Sequence, residues 1–503
     1  MELEFETRTT AFLRQSIEGV CRQEQTQEVI VPDVSGDASR VVYCCAQAVV
    51  RSRECMNGAV QITGGIQAGA IYLTEGDEAA HTLDAWIPFT LRLEHPAAKE
   101  DTQLLMDCRV LAADARLVNP RKLLFRVEVG AQLFGYTPDE IVLPLLRQTP
   151  KGLQLRCRNY PLPLPAETAE RTYLVSDELD LPAGRGAPET IIAASALPEI
   201  AERRIVGSKA VFKGTLQLKT LYLTAEGTVE CCTQTLPFSQ YCQLGADHDE
   251  DQLRLLTSVT SCDVTVAGTA EEPKLSVSVG LLTQCLVTKT VTLPFCEDAF
   301  STCGILTPEW KQFDFDCQLD RQIQRLPLRE SVSGEALHSV IDSSCYPGFP
   351  HAEATEQGLR VSIPADLRIL GTGEDGTLCG LSGAAEAEAE IPAGPGAGCI
   401  ATAIQCPGGY ASPGAEGAEA RYELSLDAEV FARQTLRTLS GGTIEPPAEH
   451  ARRPSLIIRP VPAALPVWDI AKQYGTSVAS VCAANGLHGD EIEAGTLLLI
   501  PME

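Results

Sequence analysis

Alternation of apolar and polar residues, in short runs separated by turn residues, dominates most of this chain. Ala59-Val60-Gln61-Ile62, Leu216-Gln217-Leu218-Lys219-Thr220-Leu221-Tyr222-Leu223 and Leu275-Ser276-Val277-Ser278-Val279 are examples. Successive side chains of a strand point to opposite faces, so a period of two predicts half-buried β-strands. Helical spacing is scarce before residue 465. It occurs in two stretches, 8–24 and 195–203, and residues 1–25 are therefore expected to form an N-terminal helical segment.

The strand patterns recur in order. Ala70-Ile71-Tyr72-Leu73-Thr74-Glu75-Gly76 reappears as Thr220-Leu221-Tyr222-Leu223-Thr224-Ala225-Glu226-Gly227, and Trp86-Ile87-Pro88-Phe89 as Thr235-Leu236-Pro237-Phe238. Asn119-Pro120-Arg121-Lys122-Leu123 matches Glu272-Pro273-Lys274-Leu275, and Ile141-Val142-Leu143-Pro144-Leu145 matches Val291-Thr292-Leu293-Pro294-Phe295. The four matches share an offset of roughly 150 residues, the period of a whole domain. A duplication follows, with one unit over 26–150 and another over 155–300. In each, a hairpin at an acidic Gly turn precedes a second at a Pro-basic turn.

A third, weaker copy fits 329–440, on Val361-Ser362-Ile363-Pro364-Ala365-Asp366-Leu367-Arg368-Ile369-Leu370, the turn Glu374-Asp375-Gly376 and the later strand Arg421-Tyr422-Glu423-Leu424-Ser425-Leu426. Its middle, 384–414, is rich in Ala, Gly, Glu and Pro, a composition that predicts loose order. Residues 301–328 read as a connector. Residues 441–454, with Gly441-Gly442 and Pro446-Pro447, read as a linker.

The pattern changes at residue 455. Ser455-Leu456-Ile457-Ile458-Arg459 is an apolar strand candidate. Val467, Ile470, Ala471 and Tyr474 then fall at helical spacing, and Gly475 closes that helix. Thr476 or Ser477 caps a second helix over 478–485, Asn485-Gly486 ends it, and Gly495-Thr496 turns into Leu497-Leu498-Leu499-Ile500. Residues 455–503 thus predict a small βααβ module.

Composition bears on function more than on fold. The 503 residues carry 40 Lys and Arg against 67 Asp and Glu, a net charge of −27. That balance disfavours nucleic acid, whose phosphates need a basic surface, and disfavours electrostatic adhesion to an anionic membrane or wall. No apolar run reaches the length of about eighteen residues that a membrane span needs. Met1-Glu2-Leu3-Glu4-Phe5-Glu6 lacks the basic and apolar regions of a secretory signal, so the expected compartment is the cytoplasm. Thiols stay reduced there, and the 19 cysteines are expected to be small buried hydrophobes.

Chemistry is sparse. There is no C-x-x-C, the vicinal pairs Cys44-Cys45 and Cys231-Cys232 would point to opposite strand faces, and the seven histidines are scattered, so neither metal nor cofactor is expected. Nucleophile-elbow and phosphate-loop motifs are missing, and the chain is not expected to be an enzyme. Glu75 with Asp77, and Glu374 with Asp375, read as solvated hairpin tips.

The C-terminal module resembles a LysM domain, on Trp468-Asp469-Ile470-Ala471, Tyr474-Gly475-Thr476-Ser477-Val478, Asn485-Gly486-Leu487 and Gly495-Thr496-Leu497-Leu498-Leu499-Ile500-Pro501. Where that family usually has Gly-Asp/Glu-Ser/Thr-Leu before the first helix, this chain has Ala463-Ala464-Leu465-Pro466-Val467. β-rich repeats followed by such a module resemble the SPOCS-domain proteins of endospore-forming bacteria. Glu28-Val29-Ile30-Val31-Pro32-Asp33 is similar to that family's apolar opening segment, with Tyr173-Leu174-Val175-Ser176-Asp177 as its counterpart in the second unit.

The resemblance implies a mainly β fold: three tandem sandwich-like SPOCS repeats, the third degenerate, followed by the LysM domain. It also implies a non-enzymatic adaptor of spore-coat assembly, acting in the mother-cell cytoplasm at the forespore surface. Its partner would be the coat-basement ATPase, stage IV sporulation protein A, or another coat protein. A peptidoglycan- or chitooligosaccharide-binding protein is the alternative, and it stays open. In a maturing coat, some exposed thiols could cross-link.

Candidate contacts lie in the last module. Trp468 is one of three tryptophans, a residue type favoured at binding hot spots, although a helix residue packed on the small sheet would read the same way. Leu456 and Ile458 alternate along a strand, and outward apolar edge residues mark interfaces. Val467, beside Trp468, and Leu487 and Ile492, flanking the loop before the last strand, complete the set.

Overall fold

A computed structural model describes residues 1–248, 252–269, 272–394, 396–414, 416–446 and 454–502. Strands make up 77% of it, and both α-helices lie in the C-terminal module, so the chain is mainly β.

Six strands build the first unit: β1 (Phe5–Ile30), β2 (Ala38–Met56), β3 (Ala59–Thr74), β4 (Asp77–Glu94), β5 (Gln103–Asn119) and β6 (Lys122–Leu146). They form two antiparallel sheets, ordered β1-β6-β5 and β2-β3-β4. Val60, Ile62, Ile66 and Phe89 of one sheet meet Ile17, Phe125, Val127 and Val129 of the other in one buried cluster. The second unit repeats the plan with β7 (Leu153–Asp180), β8 (Pro188–Val206), β9 (Lys209–Thr224), β10 (Val229–Gln243), β11 (Gln252–Gly268) and β12 (Pro273–Ser301), ordered β7-β12-β11 and β8-β9-β10.

The third unit keeps the same topology. It contains β13 (Ile305–Ser333), β14 (Ser339–Pro347), β15 (His351–Thr355), β16 (Gly358–Thr372), β17 (Leu378–Pro392), β18 (Ala397–Gly414) and β19 (Gly417–Glu445). One sheet runs β13-β19-β18. In the other, β14 and β15 share one edge of β16 while β17 takes the opposite edge. Together β14 and β15 stand where β2 and β8 stand. The break at 348–350 lies between Pro347 and Pro350, which have no N–H to donate to a ladder.

Several predicted elements differ from those observed. The expected N-terminal helical segment, 1–25, is strand from Phe5 onward: β1 pairs with β6 from Phe5↔Leu146 to Ile30↔Lys122. Ile17 and Cys21 are buried four residues apart, a spacing close to one helical turn and also an even number, so it suits a strand equally well. Pairing with a partner more than a hundred residues away decides between them. Residues 195–203 likewise lie within β8. Most of the expected connector at 301–328 is β13, the first strand of the third unit, paired with β19 from Ile305↔Glu445 to Ser333↔Gly417.

The segment 384–414 falls mostly in β17 and β18. In β17, Ala387, Ala389 and Ile391 are buried while Glu386, Glu388 and Glu390 face out. That is strand alternation with small inward residues. Of the expected linker, 441–445 continue β19, and 447–453 lie outside the described residues.

The three units meet at one hub. Each carries a β-bulge at the same place: the β2–β3 ladder skips Val42, the β8–β9 ladder skips Ile192, and the β14–β16 ladder skips Ile341. A bulge re-aims the local side chains. These three residues gather with the cross-strand Ile71, Leu221 and Leu370 in one apolar cluster, which gives the body a pseudo-threefold arrangement. The repeated Ile71-Tyr72 and Leu221-Tyr222 dipeptides are thus the strand segments facing the bulges. Backbones approach closely here: a Cβ on Gly380 would lie 1.6 Å from the Val42 carbonyl oxygen, and one on Gly69 would lie 2.5 Å from that of Ile192.

Inside the hub one carboxylate joins all three units. Asp342, of the third, lies 2.9 Å from Lys219 Nζ of the second and accepts a 2.7 Å hydrogen bond from the Tyr43 hydroxyl of the first. The Cys231 thiol donates to it at 3.5 Å. Burial raises the Asp342 pKa, but Lys219 and the donors outweigh it and hold the carboxyl below its ordinary value. Burial lowers Lys219, and Asp342 outweighs that and leaves it above its ordinary value. A second tie repeats the scheme. Arg254 of the second unit pairs through both ends of its guanidinium with Glu429 of the third and donates to the Tyr136 hydroxyl of the first at 3.0 Å.

Beyond the hub the long strands run on as a stem. Ile141 and Leu143, Leu162, Leu164, Leu293 and Phe295, and Phe315 and Leu436 pack together from the three units. The chain passes from unit to unit at this end. It also closes on itself there: Glu2 bridges Thr443, and the Leu3 N–H donates to the Gly442 carbonyl at 2.9 Å.

Asp342→Ala should lower the unfolding free energy by about 3–5 kcal/mol, because Lys219 is left in the hub without its counter-ion. Denaturant melts of the two proteins measure this. The difference should be constant across neutral pH. It should fade as pH falls through the lowered Asp342 pKa, and again as pH rises through the raised Lys219 pKa.

Candidate functional site

The C-terminal module is built from β20 (Leu456–Pro460), β21 (Leu465–Pro466), α1 (Val467–Tyr474), α2 (Val478–Asn485), β22 (Glu491–Ile492) and β23 (Leu497–Pro501). The first helix ends at Gly475, whose φ of 63° lies in the left-handed region that a Cβ disfavours. Ser477 caps the second, its Oγ accepting the Ser480 N–H at 3.1 Å. The Asn485 side chain then pins the closing strand, donating to the Leu499 carbonyl at 2.6 Å and accepting its N–H at 2.7 Å. Ile470, Ala471, Val481, Leu498 and Ile500 fill the core.

The six candidate residues separate into three groups. Val467 and Ile492 are 1% and 0% exposed and belong to that core, so they offer no surface to a partner. Leu487 is half-buried against it. Leu456 and Ile458 are 46% and 57% exposed, while Ile457 between them packs inward. In the β20–β23 ladder Ile458 faces Leu499, and Pro460 faces Leu497, which is 63% exposed. The outer face of this two-stranded sheet is therefore an aliphatic patch of Leu456, Ile458, Leu497 and Leu499. The last two are additions to the candidate set. Their signal was the alternation within Leu497-Leu498-Leu499-Ile500, where the even-numbered residues are buried and the odd-numbered ones are not.

Trp468 points elsewhere. Its indole Nε1–H donates to Asp298 Oδ2 at 2.8 Å, and its ring meets the Phe300 ring edge-on, with centroids 4.9 Å apart. The Arg156 guanidinium lies 5.8 Å from the Trp468 ring, and Lys472 Nζ is 2.6 Å from Asp298. Burial raises the Asp298 pKa, but the Lys472 and Trp468 donors outweigh it and hold the carboxyl below its ordinary value. Asp298 and Phe300 belong to β12, in the stem of the second unit. Trp468 thus seats the module on the β body and leaves the aliphatic patch facing outward. No local pattern announces a contact between residues 170 positions apart.

Comparison with protein families follows the same divisions. The model of the SipL SPOCS domain matches residues 37–118 and 188–267, and the LysM domain model matches 467–501. The two SPOCS segments span β2–β5 and β8–β11, which are equivalent strands of the first two units. The chain therefore carries a SPOCS domain signature in two segments, followed by a LysM domain. Searches of curated proteins and of solved structures give no match. Both domain types are binding or structural modules rather than catalytic ones, and together they fit a sporulation-related protein with a LysM binding module. Among the described residues no helix is long and apolar enough to cross a membrane, and no group of three His, Cys, Asp or Glu could hold a metal ion.

Trp468→Ala should unseat the LysM domain without unfolding it. Losing a hydrogen bond to a charged group costs about 1.5–3 kcal/mol. Hydrogen exchange should rise around Asp298–Phe300 and on the outer turn of α1, while the amides of Val481 and Leu498 in the module's core keep their protection.

Proposed function

We propose that this protein is a non-enzymatic adaptor of spore-coat assembly, whose LysM domain docks a coat-basement protein of the stage IV sporulation protein A type at the forespore surface. The observation that carries this reading is the outward aliphatic patch of Leu456, Ile458, Leu497 and Leu499 on β20 and β23. Contiguous outward aliphatic residues on a small edge sheet, here three exposed and Leu499 half-buried, are the ordinary material of a protein–protein contact. The rest of the molecule suits a scaffold: three β units locked around one hub hold the LysM domain on a stem through Trp468 and Asp298. With a net charge of −27, attraction to an anionic surface contributes little, and apolar contact with another protein is the more effective route to that surface.

Glycan binding is the second reading, and the LysM match at 467–501 favours it. Against it, the stretch before the first helix is paired off: Leu465 and Pro466 form a ladder with Ile492 and Glu491, and the LysM domain's own tryptophan, Trp468, is turned onto the stem.

Capture of the purified coat-basement ATPase by the full chain separates the two readings. Ile458→Glu with Leu497→Glu should reduce capture at least tenfold, because two charges would have to be desolvated in the contact. Titration with N-acetylglucosamine oligomers should show no saturable binding. Unchanged capture by the double variant would sink the docking face, and saturable oligomer binding would establish the glycan reading instead.

A further inference from the structure

Cys157 and Cys296 are direct partners in the antiparallel ladder between β7 and β12. Directly opposed residues of such a ladder have Cα atoms about 4.5–5.5 Å apart, within the span a disulfide bridges. Cys157 is exposed and Cys296 is half-buried. Two positions beyond Cys296 is Asp298, the residue that holds the LysM domain, and Arg156, beside Cys157, lies against Trp468. Another close thiol pair, Cys242 with Cys285, is buried on both sides and has no access to an oxidant in solution.

We propose that Cys157 and Cys296 form a redox-active dithiol, closed to an intrachain disulfide by exchange with a small-molecule disulfide such as oxidised glutathione. The chemistry divides between the two sulfurs. The neighbouring Cys296 thiol brings the Cys157 pKa down to about 7, against the opposing effect of burial, while the same proximity pushes Cys296 up; the Cys296 thiol itself donates to the Asp298 carbonyl at 3.5 Å. Cys157 is the attacking thiolate. It displaces one glutathione from the glutathione disulfide, and that glutathione leaves as thiolate and takes up a proton. Cys157 is then held in a mixed disulfide. Cys296 gives up its proton and attacks the Cys157 sulfur, expelling the second glutathione. Two protein thiols are oxidised, one small disulfide is reduced to two thiols, and β7 is stapled to β12 two residues from Asp298 of the LysM seat.

The test uses the full chain, incubated with oxidised glutathione and digested without reductant for mass spectrometry. A peptide linked through Cys157 and Cys296 should dominate, and Cys296→Ala should instead accumulate a single glutathione adduct at Cys157. In the reduced protein at neutral pH, Cys157 should alkylate several-fold faster than Cys303, another exposed cysteine. In Cys296→Ala the pH midpoint of that alkylation should move up into the ordinary thiol range. Equal rates and equal pH profiles for Cys157 and Cys303, together with no linked peptide, would overturn the proposal. So would a linkage that joins two chains through Cys157 rather than closing within one.

Discussion

A single carboxylate, Asp342, cannot be buried by its own unit. Removing a charge from water costs several kcal/mol, and only an opposite charge with good hydrogen bonds offsets it. Here the ammonium comes from Lys219 in the second unit and the hydroxyl from Tyr43 in the first, so the charge is satisfied only when all three units are assembled. The apolar cluster around it has the same property, because Val42, Ile192 and Ile341 each come from a bulge in a different unit. Tandem copies that could have been beads on a string are made into one body by this shared centre.

The rest follows outward from that centre. Once the hub fixes how the units face one another, the long strands of all three must run on side by side, and their apolar ends pack into the stem. The Tyr136–Arg254–Glu429 tie repeats the three-way charge scheme along the way. The chain termini of the β body meet at the stem, where Glu2 bridges Thr443, and this is where the LysM domain is seated. The seat uses a carboxylate, an ammonium and two aromatic rings, so it is specific in direction as well as strong. It decides which face of the LysM domain remains available.

Much of this was legible in the residues. The Ile71-Tyr72 and Leu221-Tyr222 copies marked the strands that face the hub, although nothing local in them says that they meet a third unit. Gly475, Ser477 and Asn485-Gly486 marked both helices of the module correctly, because capping is decided by a handful of neighbouring residues. The N-terminal segment misled, since Ile17 and Cys21 at a spacing of four satisfy a helix and a strand alike. The Glu-Ala alternation of 386–391 was a strand signal muted by the small size of alanine. At the site, Leu456 and Ile458 were readable from alternation. Val467 and Ile492 were not separable from contact residues, because apolarity alone does not distinguish a core position from an exposed one.

By itself, then, the sequence determined the β class, the duplicated order of strands and the LysM module, all of which rest on periodicity and short-range turn and cap chemistry. The tertiary structure decided what those elements are for. It converted most of 301–328 from a connector into the opening strand of the third unit, closed three units around Asp342, and turned Trp468 from a candidate partner contact into the seat of its own domain. These outcomes depend on contacts between residues tens to hundreds of positions apart. A strand's pattern records which of its faces is apolar but not which distant surface will cover it.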